Sequence, residues 1–422
     1  MKYKKRIADT ILANMLEYCG AVEIRGPKWC GKSTTAEQHA GSVIYMQDLR
    51  VKEKNILLAK NAPHLFLNGA TPRLIDEWQE VAFIWDQIRF EVDKRSKMGQ
   101  FILTGSATPL DEDAYSHSGI GRIVPMRMRP MTLYESGEGS GQVSLRELFE
   151  GNPSLGFINE TSLEQYAFLL CRGGWPGIFS VSKSNALHLV ENFYEGLIHE
   201  DINKVFKNKK NPERLQRLMR AYARAESTET SLEALTEDIR VNEGGSMDIR
   251  TTASYLEALK RLYVVEEMPA WNPNLRSKTA IRSSNTRHFV DPSVACAALG
   301  IGPEDLLYDM KTFGLLFESM CVRDLRVYSG LLHGTVYHYR DRDGLEADAV
   351  VHLKNGKWGA IEVKLRSEES IEEGARHLRT LANKVNMDKM KAPSFLMVLT
   401  ATEVAYRRED GVYVVPLACL AP

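Results

Sequence analysis

No stretch of the 422 residues is apolar over the roughly 20 positions that a membrane-spanning helix needs. The basic residues Lys2, Lys4, Lys5 and Arg6 precede a segment broken by Asp9, Asn14 and Glu17, which is not the apolar core of a signal peptide. Cysteine is sparse: Cys19, Cys30, Cys171, Cys296, Cys321 and Cys419 form no C-x-x-C pair, so their spacing suggests neither a zinc site nor a disulfide framework. These absences predict a cytoplasmic chain with reduced thiols and no membrane partner. Nor does one charge dominate. Lys and Arg number 54 against 55 Asp and Glu, a formal net charge of -1, which excludes a uniformly polybasic nucleic-acid binder. With 44% hydrophobic and 26% charged residues, disordered, collagen-like and coiled-coil classes are excluded as well. At about one domain per 150 residues, the length predicts two or three domains.

What is present begins with alternation. Strand-like runs at Ala21–Ile24, Ser42–Met46, Arg73–Asp76 and Gly99–Thr104 are separated by helical stretches, among them Val81–Lys97 with Phe83, Ile84, Ile88 and Val92 on one side. Strands separated by helices predict an α/β fold with a parallel sheet covered on both faces. A Gly/Ser-rich run, 135–141, breaks the pattern. Helical texture follows to about Asn242. After Pro292 come one helix, strands at Thr335–Arg340, Glu346–His352 and Trp358–Lys364, a helix and the strand Ser394–Thr400, with Asn355-Gly356 as a hairpin turn.

The segment Gly26-Pro27-Lys28-Trp29-Cys30-Gly31-Lys32-Ser33 matches G-x-x-x-x-G-K-[ST], with a strand before it and a helix from Thr34 after it. Glycines let successive N–H groups curl toward phosphate oxygens, and the helix adds its positive end. Residues Gly26 to Thr34 are thus expected to cradle ATP, Lys32 to reach the β- and γ-phosphates, and Ser33 to ligate Mg²⁺. Arg73-Leu74-Ile75-Asp76-Glu77 ends an apolar strand in two carboxylates: Asp76 is expected to organise the Mg²⁺ and Glu77 to polarise the attacking water. Thr104, at the end of Phe101-Ile102-Leu103-Thr104, either senses the γ-phosphate and holds that water or simply forms a turn. Arg122 is either an arginine finger or a surface arginine.

Taken together, these motifs, with Trp78-Gln79, Gly105-Ser106-Ala107, Arg129-Pro130-Met131-Thr132, Arg287-His288-Phe289-Val290-Asp291-Pro292, Gly314–Glu318 and Ile361-Glu362-Val363-Lys364, resemble the AAA+-type P-loop ATPases of bacteria and archaea that carry a C-terminal domain of unknown function. The resemblance implies an ATPase core, a winged-helix module and a nuclease-like domain. The expected organisation is an ATPase domain over 1–142, a helical region over 143–228, a winged-helix-like module over 229–291 and an α+β nuclease-like domain over 292–422. Where many such proteins have a small polar residue and then Gly after the Asp, this chain has Pro292-Ser293.

The neutral total conceals local imbalance. Residues 204–224 hold eight basic side chains (Lys204, Lys207, Lys209, Lys210, Arg214, Arg217, Arg220 and Arg224) against Glu213 alone, and 271–290 add Arg276, Lys278, Arg282 and Arg287 with no acid. On a helix starting near Pro212, Leu215, Leu218, Met219 and Tyr222 form the buried stripe and leave most arginines outward. Helices at Ser231–Asp238 and Arg250–Leu262 and a strand at Val264–Met268 fit a winged helix-turn-helix, and DNA is the expected partner. Farther along, Glu362 and Lys364 share a strand face. With Asp348 on the preceding strand and Glu318 on the helix before it, the order resembles the PD-(D/E)XK nuclease fold, whose carboxylates hold metal while the lysine steadies the developing charge.

The function these features predict is a Mg-dependent ATPase coupling hydrolysis to DNA binding or remodelling. An ATP-gated metal-dependent nuclease and a slow nucleotide switch or interaction scaffold are the alternatives. An arginine finger acting across a subunit boundary would make the protein a homo-oligomer.

Overall fold

The structure, a computed structural model, describes residues 3–106, 119–204, 210–244, 247–273, 284–385 and 390–422. The first sheet contains β1 (Ala21–Arg25), β2 (Ser42–Tyr45), β3 (Arg73–Asp76), β4 (Phe101–Gly105) and β5 (Ile123–Arg127), all parallel, in the order β2-β3-β4-β1-β5. Strands covered on both sides read as continuous apolar runs, and period-two alternation divides their side chains. Val22, Ile24, Leu74 and Ile102 enter one core with Leu12, whereas Ala21, Ile75, Phe101 and Leu103 enter the other with Trp78 and Ile88. β5 was not visible in the periodicity: Pro125 interrupts it, which is tolerated because β5 lies at the sheet edge. The helix expected over Val81–Lys97 occupies Ile84–Arg95, preceded by a 3-10 turn, and stops where Ser96 turns left-handed (φ 51°).

After a short strand β6 (Val143–Ser144), the chain forms helices at Leu163–Arg172, Lys183–His199, Pro212–Arg224, Leu232–Asn242, Ile249–Arg261 and Pro292–Leu299. Each is capped by a side-chain oxygen at the residue before it: Ser162, Ser182, Asn211, Ser231, Asp248 and Asp291. The stripe of Leu215, Leu218, Met219 and Tyr222 is buried, as its spacing requires. The strand expected at Val264–Met268 is instead two isolated antiparallel bridges, Val265 to Phe289 and Met268 to Thr286. Tyr263 turns left-handed and the Val264 N–H folds back onto the Leu259 carbonyl, so the helix end uses up the residues that would have begun a ladder.

The second sheet has the order β11-β12-β10-β9-β8-β7. Its strands are β7 (Gly334–Arg340), β8 (Glu346–Leu353), β9 (Trp358–Lys364), β10 (Phe395–Thr400), β11 (Tyr406–Arg407) and β12 (Tyr413–Pro416). β7, β8 and β9 are antiparallel neighbours; β9, β10 and β12 run parallel. Gly356 takes φ 82° in the turn joining β8 to β9. Val351, Ile361 and Leu399 pack with Phe317 and Met320 of the helix Met310–Leu331, in a core that also takes in Leu170, Leu218 and Leu420. The opposite face buries Val350, Ala360 and Val398 against Ala375 and Leu378 of the helix Glu368–Lys384. A last strand, β13 (Leu420–Ala421), pairs in parallel with β6. Among the described residues, no helix is long and apolar enough to cross a membrane.

Candidate functional site

The loop between β1 and the helix Lys32–Glu37 is built by close approach. A Cβ on Gly26 would stand 2.2 Å from the Met128 carbonyl oxygen, and Gly31 takes φ 96°. Trp29 is left-handed too (φ 71°), and its ring stacks on Phe193 at 5.6 Å. Lys28 pairs with Asp201 at 3.2 Å. These two contacts dock the tip of the loop on the helical region. Cys30 is fully buried beside Met128, a filler of the loop interior. The Lys32 ammonium, almost entirely buried, donates to the carbonyls of Gly26 (3.0 Å) and Pro27 (2.8 Å). Beside the helix start lies a cavity of about 390 Å³ whose wall includes Tyr3, Thr34, Thr35, Gln38, Pro176 and Phe179.

Because β4 is inserted between β1 and β3, the carboxyl ends of three strands converge at this loop, the usual ligand position on an open parallel sheet. Asp76 and Thr104 are register partners, and Asp76 Oδ1 accepts from both Ser33 Oγ (2.5 Å) and Thr104 Oγ1 (2.6 Å). Glu77 departs from the strand in a left-handed conformation (φ 58°, ψ 51°) that costs a non-glycine residue roughly 1–2 kcal/mol. Its carboxylate accepts from Gln79 Nε2 and from Ser106 Oγ (3.1 Å). Gln79 and Ser106 belong to the sequence motifs, but the sequence assigned neither a role; their contact with Glu77 supplies one.

The structure does not bring Arg122 to this group. Its carbonyl accepts from Ala21 N at the amino ends of β1 and β5, the opposite edge of the sheet from the loop. Its exposed guanidinium donates to Asp93 at 2.9 Å. Ala107, the last residue of the Ile102–Ala107 motif, lies outside the described residues.

In the second sheet, Lys364 Nζ contacts Glu362 Oε2 at 2.7 Å, Asp348 Oδ2 accepts from the Val363 N–H at 2.7 Å, and Glu318 and Asp348 line one cavity of about 180 Å³. Burial, then the charge of Asp348, raises Glu362 to about 8 against the pull of Lys364. Burial and the neighbouring carboxylates push Glu318 well above the usual carboxyl range, and burial raises Asp348. Glu362 Oε1 is buried without a hydrogen-bond partner among the described residues. Even so, no group of three or more His, Cys, Asp or Glu among those residues is arranged to hold a metal ion.

Of the basic cluster, Arg224 bonds Asp238 and Glu243, and Arg220 pairs with Glu243 at 3.3 Å, which neutralises much of the helix Pro212–Arg224. Lys207, Lys209, Arg276, Lys278, Arg282 and the side chain of Lys204 lie outside the described residues.

Three family matches lie in succession along the chain. Residues 20–136 match a family described as an AAA domain, 163–305 a domain of unknown function (DUF8612), and 313–420 a second such domain (DUF4143). The chain is therefore AAA-domain-like at its phosphate loop and carries a DUF4143-like C-terminal part. It is 22% identical over 382 residues to uncharacterized proteins of Mycobacterium tuberculosis and Mycobacterium bovis, covering 89% of this chain and 77% of each relative. Among solved structures it is similar to a Walker-type ATPase of Pyrococcus abyssi, at 16% identity and a TM-score of 0.42, with 70% of this chain and 96% of that one covered. The sheet order itself, with a strand between those bearing the phosphate loop and the acidic pair, makes the first layer a P-loop NTPase parallel sheet.

Proposed function

We propose that the protein binds Mg·ATP at the Gly26–Thr34 loop and hydrolyses it. The observation that carries this reading is the convergence of Ser33 and Thr104 on one oxygen of Asp76 beside the loop lysine. A hydroxyl and a carboxylate are the hard oxygen donors that Mg²⁺ takes, so Ser33 and Asp76 fit the ion, which when bound would neutralise phosphate charge. Lys32, held on carbonyls of its own loop, would exchange them for phosphate oxygens. Glu77, held by Gln79 and Ser106, would orient water toward the γ-phosphate, and Thr104 would keep Asp76 aligned. The cavity walled by Tyr3 and Phe179 would take the nucleoside. Arg122 would act only on the nucleotide of a neighbouring copy in a homo-oligomer. ATP turnover unchanged in both Lys32→Ala and Glu77→Gln would remove the assignment.

Coupling to DNA is the second part of the proposal. It is supported by the two helices Leu232–Asn242 and Ile249–Arg261 and the bridged antiparallel pair after them, which suit a winged-helix-like module over 229–291, and by the basic residues before and within it. Undetectable binding to DNA at low salt would remove this part.

One observation favours an ATP-gated nuclease: Glu318, Asp348, Glu362 and Lys364 gather at one sheet end, with one Glu362 oxygen lacking a hydrogen-bond partner among the described residues. Among the described residues these acids are not arranged as a metal cradle. Metal-dependent cleavage of DNA or RNA that disappears in Asp348→Ala would support this reading; absence of cleavage on every substrate would remove it.

A further inference from the structure

A cavity of about 340 Å³ lies where the end of β5, the bridged segment after Tyr263 and the helix Met310–Leu331 meet. None of the residues Gly26 to Thr34 lines it. Four arginines do: Arg6, Arg127, Arg129 and Arg326, along with Glu135, Glu266 and Glu267. Two of the acids are already engaged. Glu135 accepts from Arg6 Nε at 3.0 Å, and Glu267 is taken by Lys260 and Arg287, each at 2.9 Å. That leaves three guanidinium groups on the single carboxylate of Glu266.

Arg129 has that carboxylate almost to itself, donating from Nε at 2.8 Å and from its terminal nitrogen at 2.6 Å. Arg127 and Arg326 reach it only at 3.8 Å and 3.9 Å, beyond hydrogen-bond distance. Arg127 Nε is buried with no hydrogen-bond partner among the described residues, and its guanidinium lies 4.4 Å from the centre of the Tyr263 ring. Arg326 is only 8% exposed. One buried cation, Arg326, and one partly exposed cation, Arg127, therefore remain without a full counter-charge among the described residues, an arrangement that costs stability unless an anion completes it.

The charges register the imbalance. Burial works against ionisation of Glu266, but Arg129, Arg326 and Arg127 outweigh it and hold the carboxyl well below its usual range. Burial lowers Arg326 to about 10, with Arg129 and Arg127 adding to the effect against Glu266.

We propose that this cavity binds a small phosphate-bearing anion, with Arg127 and Arg326 as its guanidinium ligands and Arg129 kept in place by Glu266. Planar guanidinium forks suit phosphate oxygens. The site is one step from the phosphate loop: Arg6 donates to the Arg129 carbonyl and, from its other terminal nitrogen, to the Cys30 carbonyl, both at 2.9 Å. An occupant is thereby positioned to influence the loop.

Pyrophosphate, added without metal to the full chain carrying Lys32→Ala and followed by calorimetry at constant ionic strength, tests the proposal independently of ATP turnover. One saturable site is expected. Arg127→Gln and Arg326→Gln should each weaken it about tenfold or more, as for loss of a charged hydrogen bond, and Glu266→Gln should tighten it by removing the competing carboxylate. If Arg326→Gln does not fold, the partly exposed Arg127 carries the test alone. No saturable binding, or binding undiminished in the arginine variants that fold, overturns the proposal.

Discussion

Thr104 and Asp76 face one another across adjacent parallel strands, and the fully buried Thr104 hydroxyl donates to the same carboxylate oxygen that Ser33 engages. The hydroxyl is thus a positioning group for Asp76 beside the Gly26–Thr34 loop. Thr104→Val, similar in shape, should leave nucleotide affinity within a few-fold, cost about 1 kcal/mol of stability and lower turnover about tenfold. Thr104→Ser should restore most of the turnover, which a purely packing role would not predict. Steady-state ATPase rates and nucleotide titrations on the two variants separate these outcomes.

Glu77 combines chemistry with an unfavourable backbone. Glu77→Gln keeps the shape and removes the base, so turnover should fall on the order of 10²-fold or more while ATP still binds. Glu77→Gly and Glu77→Ala both lose the side-chain bonds to Gln79 and Ser106, but only glycine relieves the left-handed strain. Thermal denaturation should therefore find the glycine variant more stable than the alanine variant by about 1 kcal/mol. Equal stability would show that the strain is not stored there.

Glu226 gives the fold a pH dependence. It is fully buried, accepts from the Phe289 N–H and the Ser319 hydroxyl, and is raised to about 8 chiefly by burial. A carboxyl whose folded value lies above its unfolded one is protonated preferentially in the folded state, so its contribution is present at low pH and lost as pH rises toward 8. His288, 3.7 Å away and lowered well below its usual value by burial, acts in the opposite sense, but only up to its unfolded value near 6.5. Above about pH 6.5 the effect of Glu226 is no longer opposed by His288. Thermal stability should decline from there to about pH 8 in the native chain, with Glu318 and Glu362 contributing in the same sense, and Glu226→Gln should make the decline shallower.

The arginines of the helix Pro212–Arg224 and the lysines before it should behave differently toward DNA. Arg224 is held by Asp238 and Glu243, so Arg224→Ala should change DNA affinity little and cost no more than about 1 kcal/mol of stability. Replacing Lys207 and Lys209, or Arg276, Lys278 and Arg282, should instead reduce the slope of affinity against salt. Affinities measured at several salt concentrations decide it.

Much of the first layer was legible because its chemistry is local. A phosphate loop needs glycines at fixed spacing, and an acidic pair must end an apolar strand. Lys32, Ser33, Asp76, Glu77 and Thr104 were accordingly found by pattern, and the structure brings them together. Arg122 was left open between a finger and a surface arginine, and the structure places it on the surface against Asp93; which end of the sheet a residue occupies depends on strand direction, which spacing does not encode. β5 was hidden by Pro125, and the segment after Tyr263 by the way the preceding helix ends. The Arg127, Arg129, Arg326 and Glu266 group was illegible for another reason: it joins three distant stretches of sequence, and the one motif it touches, at Arg129, points to none of the other three. Similarly, the basic excess of 204–224 was countable, but its partial neutralisation by Asp238 and Glu243 required the neighbouring helix.

The pairing of β6 with β13 bears on the order in which the molecule can fold. Ser144 Oγ donates to the Pro422 carbonyl across 278 residues of sequence, and the large core shared by the helices and the second sheet runs from Ile7 to Leu420. The two cores of the nucleotide layer close on residues no later than Met128. During synthesis the phosphate loop can therefore assemble on a finished sheet while the surfaces meant for the rest of the chain stay open, in need of protection until Leu420 arrives.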